Sequence, residues 1–252
     1  MTQMIGFAGQ KQAGKDTACN FILAIKLAEL GLCKASRISK SGSIEVTDIF
    51  NENMSGKEWF PFAPPHVDVD SLFEDHLGGF VRSYAFADTL KEFAIGVFGL
   101  DRDLVYGSNA DKDKTTYLKW EDVPTATPTD KQGSMTVREV LQYVGTDLFR
   151  KMHENVWVDT CLRRINQDSA ELALVSDVRF ENEICAIQKA GGIVIGLTRT
   201  VSKNDSHRSE TEINSSLSLC DKIIDNKKLS IAQQNQEIYS CLKKFKCIPE
   251  II

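Results

Sequence analysis

Apolar positions in this 252-residue chain fall into short runs separated by mixed segments of helical period. The run at 4–8, Met-Ile-Gly-Phe-Ala, reads as a short buried strand. A glycine-rich turn follows, and 16–30 reads as a helix. Phe21, Ile22, Leu23, Ile25, Leu27, Ala28 and Leu30 cover most of its circumference, with Lys26 and Glu29 as the main exceptions. A helix patterned in this way packs on more than one face, and Gly31 is its C-terminal stop.

Residues 36–79 read as an insertion. Ser41-Gly42-Ser43 between alternating segments predicts a hairpin, and the Pro-rich 60–65 a loop. Trp59, Phe60 and Phe62 are read as local packing or a subunit contact. Periodic order returns with a strand at 80–86, then a helix at 89–98 ended by Gly99. The polar 101–134, rich in Asp, Lys, Thr and Pro, is expected to be a mobile loop. Thr136 and Glu139 have capping-box spacing and open a helix to about 144, broken by Gly145-Thr146-Asp147. A further helix is expected at 156–165.

The segment 171–177 reads as a buried strand ending in a carboxylate, 181–190 as a helix and 193–197 as a second strand. Strand, helix and strand in this order call for a parallel sheet. A polar stretch at 199–216, a short strand at 222–224 and a helix at 229–245 complete the chain. The alternation gives an α/β fold: a parallel sheet flanked by helices, with insertions. Ligands of such sheets bind beyond the carboxyl ends of the strands. On topology alone, 9–17, 87–91, 177–179, Arg199 and Asn226 are expected near one crevice.

The segment Gly9-Gln-Lys-Gln-Ala-Gly-Lys-Asp-Thr17 stands between the first strand and the first helix, the context in which a phosphate-binding P-loop is credible. Gly9, Lys11, Ala13, Gly14, Lys15, Asp16 and Thr17 are its candidate ATP contacts, with Asn226 from the far end of the chain. Glycines let successive N–H groups turn inward, and the helix start adds positive potential. Lys15 supplies a full charge at a junction expected to be exposed, so its loss should cost little stability. The usual pattern places a hydroxyl directly after the lysine to hold Mg²⁺; here Asp16 stands there and Thr17 comes one later. Either is a candidate metal ligand, with Asp16 preferred, because one helical step turns a side chain by about 100°.

Phosphoryl transfer needs charge neutralisation and in-line placement more than a nucleophilic side chain. The candidate catalytic residues are Lys15, Asp177, Arg179 and Arg199. Asp177 ends an apolar strand and suits metal or acceptor binding, or else caps a turn. Arg179 can grip an acceptor phosphate with its fork or form a surface ion pair. Candidate acceptor contacts are Lys91, Arg138, Gln142, Gly145, Thr146, Asp147 and Arg179. Arg138 and Gln142 lie four apart on one helix face, and the following amide, glycine, hydroxyl and carboxylate suit a base or a sugar. Lys91 faces either solvent or the acceptor. Arg199, Lys203, His207 and Arg208 form a basic excursion that could close as a lid over phosphates.

Composition narrows the alternatives. A net charge of −5 argues against a general coat for polymeric nucleic acid. No apolar run reaches the 18 or so residues that a membrane helix needs. Seven scattered cysteines without a C-x-x-C pair suggest reduced thiols and a cytoplasmic protein. Four histidines show no metal-ligand spacing.

The order of G-Q-K-Q-A-G-K-D-T, F-A-D-T-L-K, V-R-E-V-L-Q-Y-V-G-T-D-L with Trp157, and S-D-V-R-F-E-N-E resembles the deoxynucleoside monophosphate kinases of tailed bacteriophages. The later N-D-S-H-R-S-E-T-E and D-K-I-I-D-N extend the resemblance, while 36–79 and 101–134 match poorly. That family also carries aspartate after the loop lysine. The resemblance implies a single P-loop kinase domain of the nucleoside monophosphate kinase type over 1–252, with those two insertions and a lid at about 199–216. It further implies ATP with Mg²⁺ as donor, a deoxynucleoside monophosphate as acceptor, host cytoplasm as the setting if phage-encoded, and often a homodimer. Two other readings share parts of the pattern. One is a phosphomevalonate kinase-like enzyme with the same loop type and a strand-terminal D-x-R; the other is a nucleotide-dependent switch protein.

Overall fold

The computed structural model describes residues 2–47, 59–63, 69–123, 131–199, 213, 215–245 and 247. The chain divides into two compact units, Met1–Ala85 with Arg163–Ile252, and Phe86–Leu162. In chain order the first unit begins with β1 (Gln3–Ala8), α1 (Lys15–Glu29), β2 (Ala35–Ile38), β3 (Ile44–Thr47), β4 (Phe60–Pro61), α2 (Val69–Leu72) and β5 (Val81–Tyr84). The second holds α3 (Asp88–Phe98), α4 (Arg102–Tyr106), α5 (Asn109–Lys112), β6 (Thr115–Lys119), β7 (Ser134–Thr136), α6 (Val137–Gln142) and α7 (Arg150–Met152). Helix α8 (Val156–Asp168) leads back into the first unit, which closes with β8 (Leu172–Val178), α9 (Glu181–Lys189), β9 (Ile193–Leu197), β10 (Lys222–Ile224) and α10 (Ile231–Lys244).

The first unit is built on a five-stranded sheet of order β10-β9-β1-β8-β5, with every pairing parallel. Central β1 is apolar from Met4 to Ala8 because both its faces are covered there, as parallel sheets require. Ile5 and Phe7 join Ile22 and Leu27 of α1 and Ile238 and Leu242 of α10 in one core. On the opposite face, a Cβ at Gly6 would lie 2.7 Å from Ile187 of α9. Glycine at this position lets α9 approach the strand closely. The parallel register aligns Ala8 with Val178 and Gly196, and Ile224 with Leu197. The connections after β1, β8, β9 and β10 therefore leave the sheet at one edge.

The hairpin expected around Ser41–Ser43 is present as antiparallel β2 and β3, which β4 extends to three strands. Arg37 stacks on Trp59 at 4.2 Å from the ring centre, while Phe60 and Phe62 pack against the core. These aromatics serve local packing.

The second unit corrects two expectations. Residues 101–134 are not a featureless loop: α4, α5 and the antiparallel pair β6–β7 lie among their described residues. Short capped turns built this order from a polar sequence. Asp101 accepts from the N–H of Asp103, and Ser108 with Asp111 forms a reciprocal capping box. Nor does Gly145-Thr146-Asp147 break the helix. After α6, whose Thr136–Glu139 capping box is present, the chain continues as a π-helical stretch, Tyr143–Phe149, directly into α7. The wider turn lets Gly145 pack against Leu90: a Cβ there would lie 2.5 Å from the Leu90 Cδ2. The Gly145 carbonyl also accepts the indole N–H of Trp157 at 2.9 Å. Phe149 bridges Phe93 and Trp157 with ring centres 5.2 and 5.4 Å away, completing this unit's aromatic core.

Candidate active site

The turn from β1 into α1 passes close beneath β9. A Cβ at Gly9 would lie 2.7 Å from the Leu197 carbonyl oxygen, so the loop can take this path only with glycine. Gly14, at φ 99°, caps α1 in the left-handed region without a side-chain hydrogen bond. The Lys15 ammonium folds back across the loop and donates to the carbonyls of Gly9 at 2.8 Å and Gln10 at 2.7 Å. Lys15 is only 6% exposed. The expectation of an exposed junction is therefore corrected: the aliphatic stem is buried and the charge is held at the loop.

Asp16 is exposed, whereas Thr17 is half-buried beneath the β2–β3 turn. A Cβ at Gly42 would overlap the Thr17 hydroxyl, and Asn20 donates to the Gly42 carbonyl at 2.9 Å. Asp16 and Thr17 line a cavity of about 320 Å³ with Gln12, Gly14, Asn20 and Ser41–Ser43. Burial, and then the carboxylates of Asp16 and Asp177, push the Cys19 thiol well above its ordinary range, against the opposing pull of Lys15. Three candidate charges from two different strand ends thus converge on one buried thiol. Cys19 itself is a packing residue, inert as a nucleophile.

Asp177 stands one residue before the end of β8, and Arg179 follows in the turn to α9. Both are half-buried. That turn is clamped by Glu183, 2% exposed, whose carboxylate accepts the N–H groups of Arg179 at 2.7 Å and Phe180 at 3.0 Å. A negative charge at the start of α9 is favoured by the helix dipole as well. Lys11 is half-buried on the loop, and Ala13 is fully buried.

Arg199 and Asn226 meet at the sheet edge. The Arg199 N–H donates to Asn226 Oδ1 at 2.8 Å, and its guanidinium donates to the carbonyls of Asn226 and Leu229 at 2.9 and 2.6 Å. Asn226 has no exposed surface, and its Nδ2 donates to the Ala13 carbonyl at 2.7 Å. Asn226, an expected ATP contact, thus holds the loop from behind. Apart from Arg199, Ile213, Ser215 and Ser216, the expected lid at 199–216 lies outside the described residues, Lys203, His207 and Arg208 included.

The remaining acceptor candidates all lie in the second unit. Lys91 pairs with Asp88 at 3.5 Å and lies 4.7 Å from the centre of the Tyr106 ring. Arg138 is bound through Nε to Asp113 at 2.7 Å and through Nη2 to the Asn109 carbonyl at 3.2 Å. Gln142 and Thr146 are half-buried, Asp147 is exposed and Gly145 is buried in packing. The glycine's carbonyl and its missing side chain are both used within the unit.

Sequence reasoning missed Glu183, Gly42 and Gln234. Gln234 sits within Gln233-Gln234-Asn235 of α10, where nothing in the letters separates the buried Gln234 and Asn235 from the exposed Gln233. Glu183 had a readable signal, a carboxylate in the first turn after a D-x-R segment.

Lys15→Met is expected to lower kcat by about 10²–10³, the range for losing one preorganised charge on a transferring group. Because two loop carbonyls lose their donor, stability should also fall, by about 1–3 kcal/mol. Steady-state kinetics with urea unfolding check both, and near-normal kcat in the folded variant would remove Lys15 from the chemistry.

The sequence profile of the deoxynucleotide monophosphate kinase family matches residues 86–236. An Acanthamoeba polyphaga mimivirus protein described as a deoxynucleotide monophosphate kinase is 30% identical over 188 residues, 68% of this chain and 87% of that protein. The deoxynucleoside-5'-monophosphate kinase of Escherichia phage T5 is 26% identical over 194 residues, 73% of this chain and 70% of that protein. With its parallel sheet, its strand–loop–helix turn and a profile match over more than half of its length, the chain belongs to the deoxynucleotide monophosphate kinase family.

Proposed function

We propose that this protein transfers the γ-phosphoryl group of ATP to a deoxynucleoside monophosphate, giving ADP and the deoxynucleoside diphosphate. The observation that carries this reading is the loop of residues 9–14, with the Lys15 ammonium held across it and Asp177 at the end of the strand paired beside it. The names of both relatives favour a deoxynucleotide acceptor over phosphomevalonate. Among the described residues no helix is long and apolar enough to cross a membrane.

In this reading the loop N–H groups and Lys15 hold the donor phosphates, and Lys15 follows the charge that develops on the transferring group. Arg179 grips the acceptor phosphate, with Glu183 fixing the turn that carries it. Arg199 holds the base of the segment that follows β9. In the second unit, Lys91, Arg138, Gln142, Thr146 and Asp147 are the acceptor-side set, while Gly145 shapes the π-helical stretch that presents the last two.

The residues present fit Mg²⁺. No group of three or more His, Cys, Asp or Glu side chains among the described residues forms a protein-only metal site. Mg²⁺ bound with a nucleotide needs only one or two carboxylates, because phosphate oxygens and water supply the rest. Asp16 is the residue proposed to hold it, directly or through water; Thr17 packs against Gly42. When bound, the ion neutralises charge on the phosphate oxygens.

ADP formation by the purified protein should depend on the acceptor across a panel of dNMPs and mevalonate phosphate. A rate that rises with at least one dNMP and not with mevalonate phosphate is expected; one indifferent to every dNMP would refute the proposal. Asp16→Asn should raise the Mg²⁺ concentration for half-maximal rate several-fold while Thr17→Val leaves it nearly unchanged, since only the first loses a carboxylate. A magnesium titration of the two variants checks this, and the reverse ranking would assign the contact to Thr17.

A further inference from the structure

A planar trans peptide points its C=O and N–H in opposite directions. Whatever holds the carbonyls of Ala13 and Gly14 outward therefore aims the N–H groups of Gly14 and Lys15 inward. Two amide side chains do this. Asn226 Nδ2 donates to the Ala13 carbonyl at 2.7 Å. Gln234 Nε2 donates to the Gly14 carbonyl at 3.4 Å, alongside the helical bond from the Ala18 N–H at 3.0 Å. The two side chains are joined, Asn226 Nδ2 to Gln234 Oε1 at 2.6 Å.

The orientation of this pair follows from a group that has no choice. The backbone N–H of Arg199 can only donate, so the Asn226 atom 2.8 Å away must be the oxygen. That puts the Asn226 amino group on Ala13 and on Gln234, where it requires an oxygen. Gln234 must then turn its own amino group to Gly14. Reversing either amide would set donor against donor or oxygen against oxygen. The relay runs from the end of β9 through the β10–α10 connection to the loop, and both members are sealed from water, at 0% and 1% exposure.

From this geometry we infer that Gln234 is a positioning residue for the donor nucleotide. It touches no phosphate; it fixes the peptide plane between Gly14 and Lys15. A side chain on Gly14 could not coexist with it, since a Cβ there would lie 2.9 Å from Gln234 Oε1. The inference rests on the proposed role of the loop as the ATP site. It predicts that the amide matters for ATP and not for the acceptor, because the carbonyl it holds belongs to the donor loop alone.

The test compares wild-type protein with Gln234→Met and Gln234→Glu, reading ATP affinity by direct titration and the KM values for ATP and dNMP. Methionine keeps the length and removes both hydrogen bonds; glutamate keeps the acceptor for Asn226 but replaces the donor to Gly14 with an oxygen that repels that carbonyl. Both should weaken ATP binding by about five- to tenfold, the scale of one neutral hydrogen bond, while the dNMP KM stays within about twofold. If the methionine variant does not fold, the glutamate variant carries the same comparison. Unchanged ATP affinity in a folded variant, or equal losses for ATP and dNMP, would overturn the inference and leave Gln234 a packing residue. Wild-type protein that binds ATP but phosphorylates no dNMP would refute the proposed function instead, and Gln234 would still be judged on ATP affinity.

Discussion

The backbone of residues 9–14 passes through positive φ at Gly9, Gln12 and Gly14, and its carbonyls need partners to hold that path. Within the loop the Ala13 N–H donates to the Gln10 carbonyl at 3.1 Å, and that single turn leaves further carbonyls to be held from outside. Here the carbonyls are taken by three different parts of the fold. Lys15 takes those of Gly9 and Gln10, Asn226 that of Ala13, and Gln234 with the Ala18 N–H that of Gly14. The parallel sheet makes this possible by bringing the ends of β1, β8, β9 and β10 to one edge. Residues more than 200 positions apart in sequence thereby become neighbours of the loop.

Charge is placed on the same plan. Burial and the carboxylates of Asp16 and Asp177 raise the Cys19 thiol against the pull of Lys15, and Glu183 accepts the N–H groups at the start of α9 beside Arg179. Arg199, by contrast, spends its guanidinium on two main-chain carbonyls. Its charge lies at the edge where phosphates would sit, while its hydrogen bonds hold the β10–α10 connection. The second unit has its own set of held cations, Lys91 on Tyr106 and Arg138 on Asp113, ordered by short capped turns.

Most of the first unit was legible in the sequence because its signals are local. An unbroken apolar strand, paired glycines and an all-round apolar helix predict β1, the loop and α1, and the 171–197 segment predicts a parallel sheet. The second unit was less legible. Capping by Asp101 and Ser108 produced order where composition read as loop, and Gly145 read as a breaker although tertiary packing on Leu90 uses it inside a π-helical stretch. Lys15 read as exposed because pattern alone cannot show that its stem is buried under its own loop. Asn226 was found by its place after a strand, but its bond to Ala13 depends on a contact 213 residues away in sequence. Gln234 had no signal at all.

The proposed function requires that the loop deliver phosphate to an acceptor nucleotide and not to water. Following ATP labelled at the γ-phosphorus in the presence of a dNMP mixture tests this most directly. The label is expected in deoxynucleoside diphosphate, in step with ADP. Label released as inorganic phosphate at the same rate, with none in a dNDP, would contradict it.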